Sequence, residues 1–254
     1  LADGRVYLGG DFWAIDGVQR SGLVRVRADG TMAGSFSPVE GQATVRALAI
    51  QPDGKVVVGG NGLKRLNPDG SSDATFAAGT STRFRVEALA VQADGRILVG
   101  GDIAGLQGST RSCLVRLNAN GSIDPGFETL GFDAEVSAVA VQNDGKILAG
   151  GAFTSYLAAD GSVTPRRHLA RLLPTGALDP TFAPALDGPL HAIVLQPDGG
   201  LLIGGFFFSV NDTFAGCLAR LLPDGSIDAA FTAAHGVGFN STVHALAVQS
   251  DGRI

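Results

Sequence analysis

The side chains able to do chemistry in this chain return at fixed intervals. Arginine stands third in the phrases Leu23–Val26, Leu63–Leu66, Leu114–Leu117, Leu169–Leu172 and Leu218–Leu221, as Arg25, Arg65, Arg116, Arg171 and Arg220. In four copies an aspartate follows eight residues later: Asp73, Asp124, Asp179 and Asp228. A charge repeated inside an apolar segment is costly unless paired. The expected chemistry is therefore structural, with Arg65–Asp73, Arg116–Asp124, Arg171–Asp179 and Arg220–Asp228 as ion pairs within their own repeats. The first copy has Ala33 in the aspartate's place, so Arg25 needs another partner.

Catalytic signals are thin. Glycoside hydrolysis needs two carboxylates about 5–10 Å apart, and Glu87, Glu128, Asp133 and Glu135 are the group that could supply them. No serine sits in a Gly-x-Ser-x-Gly elbow, and neither Cys113 nor Cys217 has a histidine partner in a nucleophile motif. His191 and His244 share one repeat position and begin a metal site, but no third histidine stands in register. The Asp-Gly-x-x-Asp phrases at Asp69/Asp73 and Asp224/Asp228 offer too few oxygens for calcium, and sister repeats carry Asn120 and Thr175 at the first position. Turn chemistry explains them better. No metal, cofactor or catalytic residue is expected.

These residues hang on one recurring phrase. Val45 to Gly60 (VRALAIQPDGKVVVGG) returns at Val86–Gly101, Val136–Gly151 and Leu190–Gly205, with its second half at Asp3–Gly10 and its first half at Val243–Ile254. The Asp-Gly pairs at Asp3, Asp53, Asp94, Asp144, Asp198 and Asp251 are 50, 41, 50, 54 and 53 residues apart, giving five whole periods. Short segments apolar on both faces and bounded by Asp-Gly turns read as strands. Each period holds four: a (Val86–Gln92, for example), b (the stretch ending in Gly-Gly), c (the arginine phrase) and d (Ser122–Phe127 in the third copy). Four-stranded repeats of roughly 40–50 residues are β-propeller blades. The expectation for residues 1–254 is thus a single all-β domain, a five-bladed propeller, with an open β-solenoid as the competing architecture. Pairing of Val243–Gln249 with Arg5–Gly9 would close the ring and remove its edges. Cys113 and Cys217, at one repeat position in well-separated blades, are expected to be unbridged apolar fillers.

The phrases resemble the delta-60 repeat family of bacterial propeller-type repeats: Val-x-Ala-Leu-Ala-Val-Gln, Asp-Gly-Lys-Ile-Leu-x-Gly-Gly, and Leu-x-Arg-Leu-Asn-x-(Asp/Asn)-Gly-Ser-x-Asp-x-x-Phe. The resemblance covers essentially every period and implies an exported or cell-surface protein with no established catalytic residue or cofactor. The second repeat departs from the pattern, since Gly59-Gly60-Asn61-Gly62 runs straight into Leu63 without the 12–17-residue spacer of the others.

A formal net charge of −5 leaves no basic patch of the kind nucleic acid requires, and the longest apolar run, Gly199 to Val210, is too short to span a bilayer. Residue 1 is a leucine in mid-repeat, which suggests an excerpt of a longer, otherwise monomeric chain. Strand direction puts all a–b and c–d turns at one rim, where the sequence repeats. It puts the b–c spacers and d–a loops at the other, where the sequence varies. Variation on a fixed scaffold marks a binding surface. The variable second residues of strand a (Arg46, Glu87, Ser137, His191 and His244), together with Trp13, Tyr156, Phe206 and Phe208 of the spacers, are the candidates to contact a glycan or a protein. All four glutamates, Glu40 included, fall on this rim, whereas Phe12, Ile103, Phe153 and Phe207 recur in register and read as packing. The expected function is a non-catalytic binding or scaffolding propeller; the alternative is a carbohydrate-active enzyme using the acidic group.

Overall fold

The computed structural model describes residues 4–20, 22–34, 36, 44–78, 84–108, 113–236 and 238–254. It falls into two compact units: residues 1–109 with 116–124, and residues 110–115 with 125–254. Nearly all regular structure is β. In the first unit, β1 (Val6–Gly9) pairs with β4 (Leu23–Val26), and the spacer between them folds into a small hairpin, β2 (Ala14–Ile15) and β3 (Val18–Gln19). The second repeat gives the sheet β5 (Val45–Ile50), β6 (Val56–Gly60), β7 (Gly62–Leu66). The third gives β8 (Arg85–Val91), β9 (Ile97–Asp102), β10 (Leu114–Leu117).

In the second unit, the fourth repeat builds β12 (Val136–Val141), β13 (Ile147–Gly151) and β16 (Leu169–Leu172). Its long spacer makes a separate sheet from β14 (Ser155–Ala158) and β15 (Val163–Pro165), joined by β11 (Thr129–Phe132). The fifth builds β17 (Leu190–Leu195), β18 (Leu201–Gly205) and β21 (Leu218–Leu221), with a spacer hairpin of β19 (Ser209–Val210) and β20 (Thr213–Phe214). One short helix, α1 (Ala229–His235), follows.

Two expectations need correction. Strand d is not a strand: it touches strand c through a single bridge, such as Leu66↔Ser72, Leu117↔Ile123 or Leu172↔Leu178. The reason is the aspartate that follows. Asp73 and Asp179 accept the amide of the residue two ahead (Thr75 and Thr181, both 3.0 Å) and bend the chain into a turn that swings Phe76 and Phe182 inward. Ring closure is not found either. The Val243 amide donates to the Gly205 carbonyl (3.0 Å), as the Val45 amide does to Gly10 (3.0 Å). Val243–Gln249 nevertheless has no strand structure, and β1 pairs only with β4 among the described residues. Strand a takes its ladder from strand b of its own repeat, and Val243–Gln249 has none beside it.

The ion pairs are present. Nε of Arg65, Arg116 and Arg171 donates to Asp73, Asp124 and Asp179 at 2.8, 2.7 and 2.8 Å, and these arginines are buried. Two of these guanidiniums reach into the next repeat: Arg65 to the Ala119 carbonyl, and Arg171 to that of Pro223 (2.7 Å). Each also lies over the phenylalanine of its own repeat, Arg65 at 4.7 Å from the Phe76 ring and Arg171 at 4.3 Å from Phe182. Arg25, lacking an aspartate, bonds the Tyr7 hydroxyl (3.3 Å) and the Pro68 carbonyl (2.7 Å). Arg25, Arg65 and Arg171 therefore each join two repeats.

Sequence reading missed a second cation, the residue after each Asp-Gly. The Lys55 ammonium sits 2.8 Å from Asp73, and Lys146 sits 3.8 Å from Asp179. The fifth repeat has Gly200 there, and Arg220 turns into the space, pairing with both Asp198 and Asp228 while Nε donates to Gln196 (2.6 Å). A side chain at position 200 would collide with that guanidinium.

Also unforeseen is the backbone before strand c, left-handed in every described copy: Gly22 (φ 71°), Gly62 (110°), Cys113 (67°), His168 (67°) and Cys217 (66°). Both cysteines are buried free thiols.

Candidate functional site

In each sheet strands a and b meet in the same irregular way. Val45 pairs with Gly60 but Ala47 with Gly59, leaving Arg46 as an extra residue in the ladder. The same shift falls at Glu87, Ser137 and His191. Such a bulge turns one side chain out of the pleat and re-aims it. The Gly-Gly pair makes it fit. A Cβ on Gly60, Gly101 or Gly151 would overlap the carbonyl oxygen of Thr44, Arg85 or Glu135, just before the bulge. A Cβ on the first glycine (Gly9, Gly59, Gly150 or Gly204) would collide with strand a of the next repeat, at Val45, Val86, Leu190 or Val243.

The residues set outside the ladder are those that vary between repeats. In the first unit Arg46 lies 3.4 Å from Glu87, and Arg85 grips the same carboxylate at 2.7 Å. In the second unit the Ser137 hydroxyl donates to the Leu190 carbonyl (3.0 Å), and the rings of His191 and His244 stand 5.5 Å apart. Partial burial, and then the neighbouring His244, hold the His191 imidazole below its usual pKa against the pull of Glu135. Pairing of Val45 with Gly60, Val136 with Gly151 and Leu190 with Gly205 puts the bulges at the spacer end of each sheet.

The spacer aromatics divide. Trp13 is 78% exposed. Phe206 and Phe208 are exposed and meet edge-to-face at 5.4 Å. Phe214, which sequence reading passed over, is exposed on β20. Tyr156 is a correction: it is buried, edge-on to Phe132 at 5.7 Å, and its hydroxyl donates to the Gly176 carbonyl (2.9 Å). It packs between β11 and β14 and also contributes to the lining of the cleft beside them. Ile103, Phe153 and Phe207 are buried as packing residues.

The carboxylates are largely committed. Asp133 accepts the Thr154 amide (2.8 Å) and hydroxyl (2.7 Å) and the Ser155 amide (2.9 Å), tying the d–a loop to the spacer. Burial works to raise its pKa, and these bonds outweigh it, so the group stays ionised. Asp187 does the same in the fifth repeat, accepting the Phe208 amide (2.8 Å) and the Ser209 amide (2.9 Å). Glu40 and Asp3 lie outside the described residues. Among the described residues no cluster of three metal-ligating side chains occurs.

The opposite end of each sheet is uniform. Asp53, Asp94, Asp144 and Asp198 each accept the amide two residues on, at 3.1, 3.0, 3.1 and 3.0 Å. The glycine that follows has φ of 80°, 83°, 81° and 84°.

The family described as a domain of unknown function (DUF5122) beta-propeller matches residues 1–36, 51–76, 92–127, 142–182 and 196–231. The chain belongs to this family. Solved structures resemble this DUF5122 chain at low identity. The structure of U3-55K matches with a TM-score of 0.57 and 13% identity over 89% of this chain and 59% of that one. The RRP9 WD40 repeats match with a TM-score of 0.54 and 14% identity, over 87% of this chain and 58% of that one. The computationally designed Ika8 protein matches with a TM-score of 0.56 and 14% identity, over 98% and 76%. These likenesses show the fold alone. The DUF5122 chain thus spans a little over half of the two WD40-type structures. No curated protein matches the sequence. No helix of the described residues is long and apolar enough to cross a membrane.

Proposed function

We propose that this propeller is a non-catalytic binding module of an exported or cell-surface bacterial protein, of the delta-60 type. Its five repeats form five blades, and it recognises a glycan or a protein through the bulge end of its sheets. One observation carries the reading. Every strand a with a paired ladder sets a different residue outside it (Arg46, Glu87, Ser137 or His191), whereas the Asp-Gly end repeats its geometry within 0.1 Å. Identical turns serve folding, and a position free to differ at one fixed place serves recognition. Exposed rings on the spacers, Trp13 in the first unit and Phe206 and Phe208 in the second, supply the apolar body that binding surfaces use.

The non-catalytic reading draws on two members of the acidic group. Glu87 is clamped by two arginines and Asp133 is saturated by backbone and hydroxyl donors. The test is a glycan-array screen of the purified domain, followed by alanine substitution of Trp13, Phe206 and His191. Binding should fall with each, while Asp94→Asn and Asp144→Asn leave it intact. A ligand that maps to the Asp-Gly turns overturns the assignment.

A further inference from the structure

The spacer of the fourth repeat covers a cleft of about 620 Å³, within the range of small-molecule sites. Its polar wall carries Glu128, Asp160, Ser162, Thr164 and Arg166, and Leu178 and Pro180 give it an apolar floor. Arg166 is the anomaly. Nη1 donates to the adjacent Pro165 carbonyl (2.8 Å), while the Nε–H is buried without an acceptor. The carboxylate that attracts it, Asp179, is already held by Arg171 at 2.8 Å and by Lys146 at 3.8 Å. A buried donor on a cation normally has a partner, and beyond Pro165 this guanidinium, which lines the cleft, has donors left to satisfy.

The other groups narrow the choice. Asp160 accepts the Ser162 amide at 2.8 Å, closing the β14–β15 turn, and the Ser162 hydroxyl and amide keep its carboxyl below the usual pKa. With Glu128, the wall carries two acids and one guanidinium. That balance repels a phosphate or sulfate dianion but tolerates one carboxylate, and it leaves acceptors for several hydroxyl donors. We infer that the cleft binds a uronic-acid residue of an acidic polysaccharide. Arg166 takes the sugar carboxylate through its guanidinium, Glu128 and Asp160 accept ring hydroxyls, and the sugar ring lies on Leu178 and Pro180. The site is independent of the bulge residues.

Calorimetric titration with trigalacturonate and with its fully methyl-esterified form tests this. The acid should bind, and esterification or Arg166→Gln should each weaken binding by about tenfold or more, the range for loss of one charge-assisted contact. Arg166→Lys should restore little, because an ammonium lacks the planar fork. Should Arg166→Gln lower the unfolding midpoint, Arg166→Lys carries the test, because it keeps the charge but not the fork and should still bind about tenfold more weakly. Phe206→Ala should leave this binding unchanged. Equal affinity for acid and ester, no binding of either, equal binding of a tetraglutamate peptide, or loss of binding in Phe206→Ala but not Arg166→Gln overturns the cleft. The last result would leave the bulge end as the glycan site.

Discussion

The two ends of each sheet are made by the same strands and obey different rules. At the Asp-Gly end, side chains finish their own backbone: aspartate caps a turn, glycine takes the left-handed conformation, and lysine or arginine beside it neutralises the strand-d aspartate. At the bulge end the backbone is finished by glycines whose missing Cβ atoms admit a carbonyl oxygen. The side chains there are left with no structural duty, or with light duties such as the Ser137–Leu190 hydrogen bond. Stability is concentrated in arginine, aspartate and glycine, and variety in whatever occupies the bulge.

The comparison is broken most directly at the arginine clamp. Arg171→Ala removes the partner of buried Asp179, the bond to Pro223 and the cover of Phe182. It should cost about 3–5 kcal/mol in urea unfolding, as breaking a buried pair does. A loss under about 1 kcal/mol would show that the pair is not structural. Gly151→Ala is next. Its Cβ meets the Glu135 carbonyl oxygen, so an overpacking cost of about 1–3 kcal/mol is expected. Gly34→Ala, with open space and an ordinary φ, should change the same unfolding midpoint little.

Acid sharpens the contrast. Asp73 is held below the ordinary carboxylate range by the Lys55 ammonium first and the Thr75 hydroxyl second. A depressed folded-state pKa means stability present above the unfolded value, about 3.9, and lost as pH falls through it. The unfolding midpoint should therefore drop steeply below about pH 4, and Asp73→Asn should flatten that drop. His191, also lowered, adds a shallower decline below about pH 6.5 that His191→Asn removes. The smallest effect belongs to the bulge end itself. Glu87→Ala breaks partly exposed pairs with Arg85 and Arg46 and should cost about 1 kcal/mol.

Much of this architecture was legible in the residues. The eight-residue interval from arginine to aspartate located the pairs because strand c, one tight turn and the next aspartate have fixed length. The left-handed position before strand c was signalled only by Gly22 and Gly62, since Cys113, His168 and Cys217 adopt it against their preference. The bulge was hidden, because register is a property of two strands, and Gly-Gly alone does not say which neighbour needs the space. The burial of Tyr156 was hidden for a similar reason: its pocket is made by β11, a strand matched among the described residues of the other repeats only by the single bridge Leu186↔Val210. The helix α1 had a readable cause. The fourth repeat continues Asp179-Pro180-Thr181, whereas the fifth has Asp228-Ala229-Ala230, an N-cap followed by strong helix formers.

The bulge has a consequence for descent. A residue outside the ladder takes no part in register, so exchanging it leaves the alternation of every other side chain in its strand undisturbed. Among copies arising by duplication within one gene, that position can drift immediately while the rest of each copy stays constrained. Arg46, Glu87, Ser137 and His191 have already diverged in charge and size inside a single polypeptide. A new specificity can thus be acquired one codon at a time, without a compensating change elsewhere in the repeat.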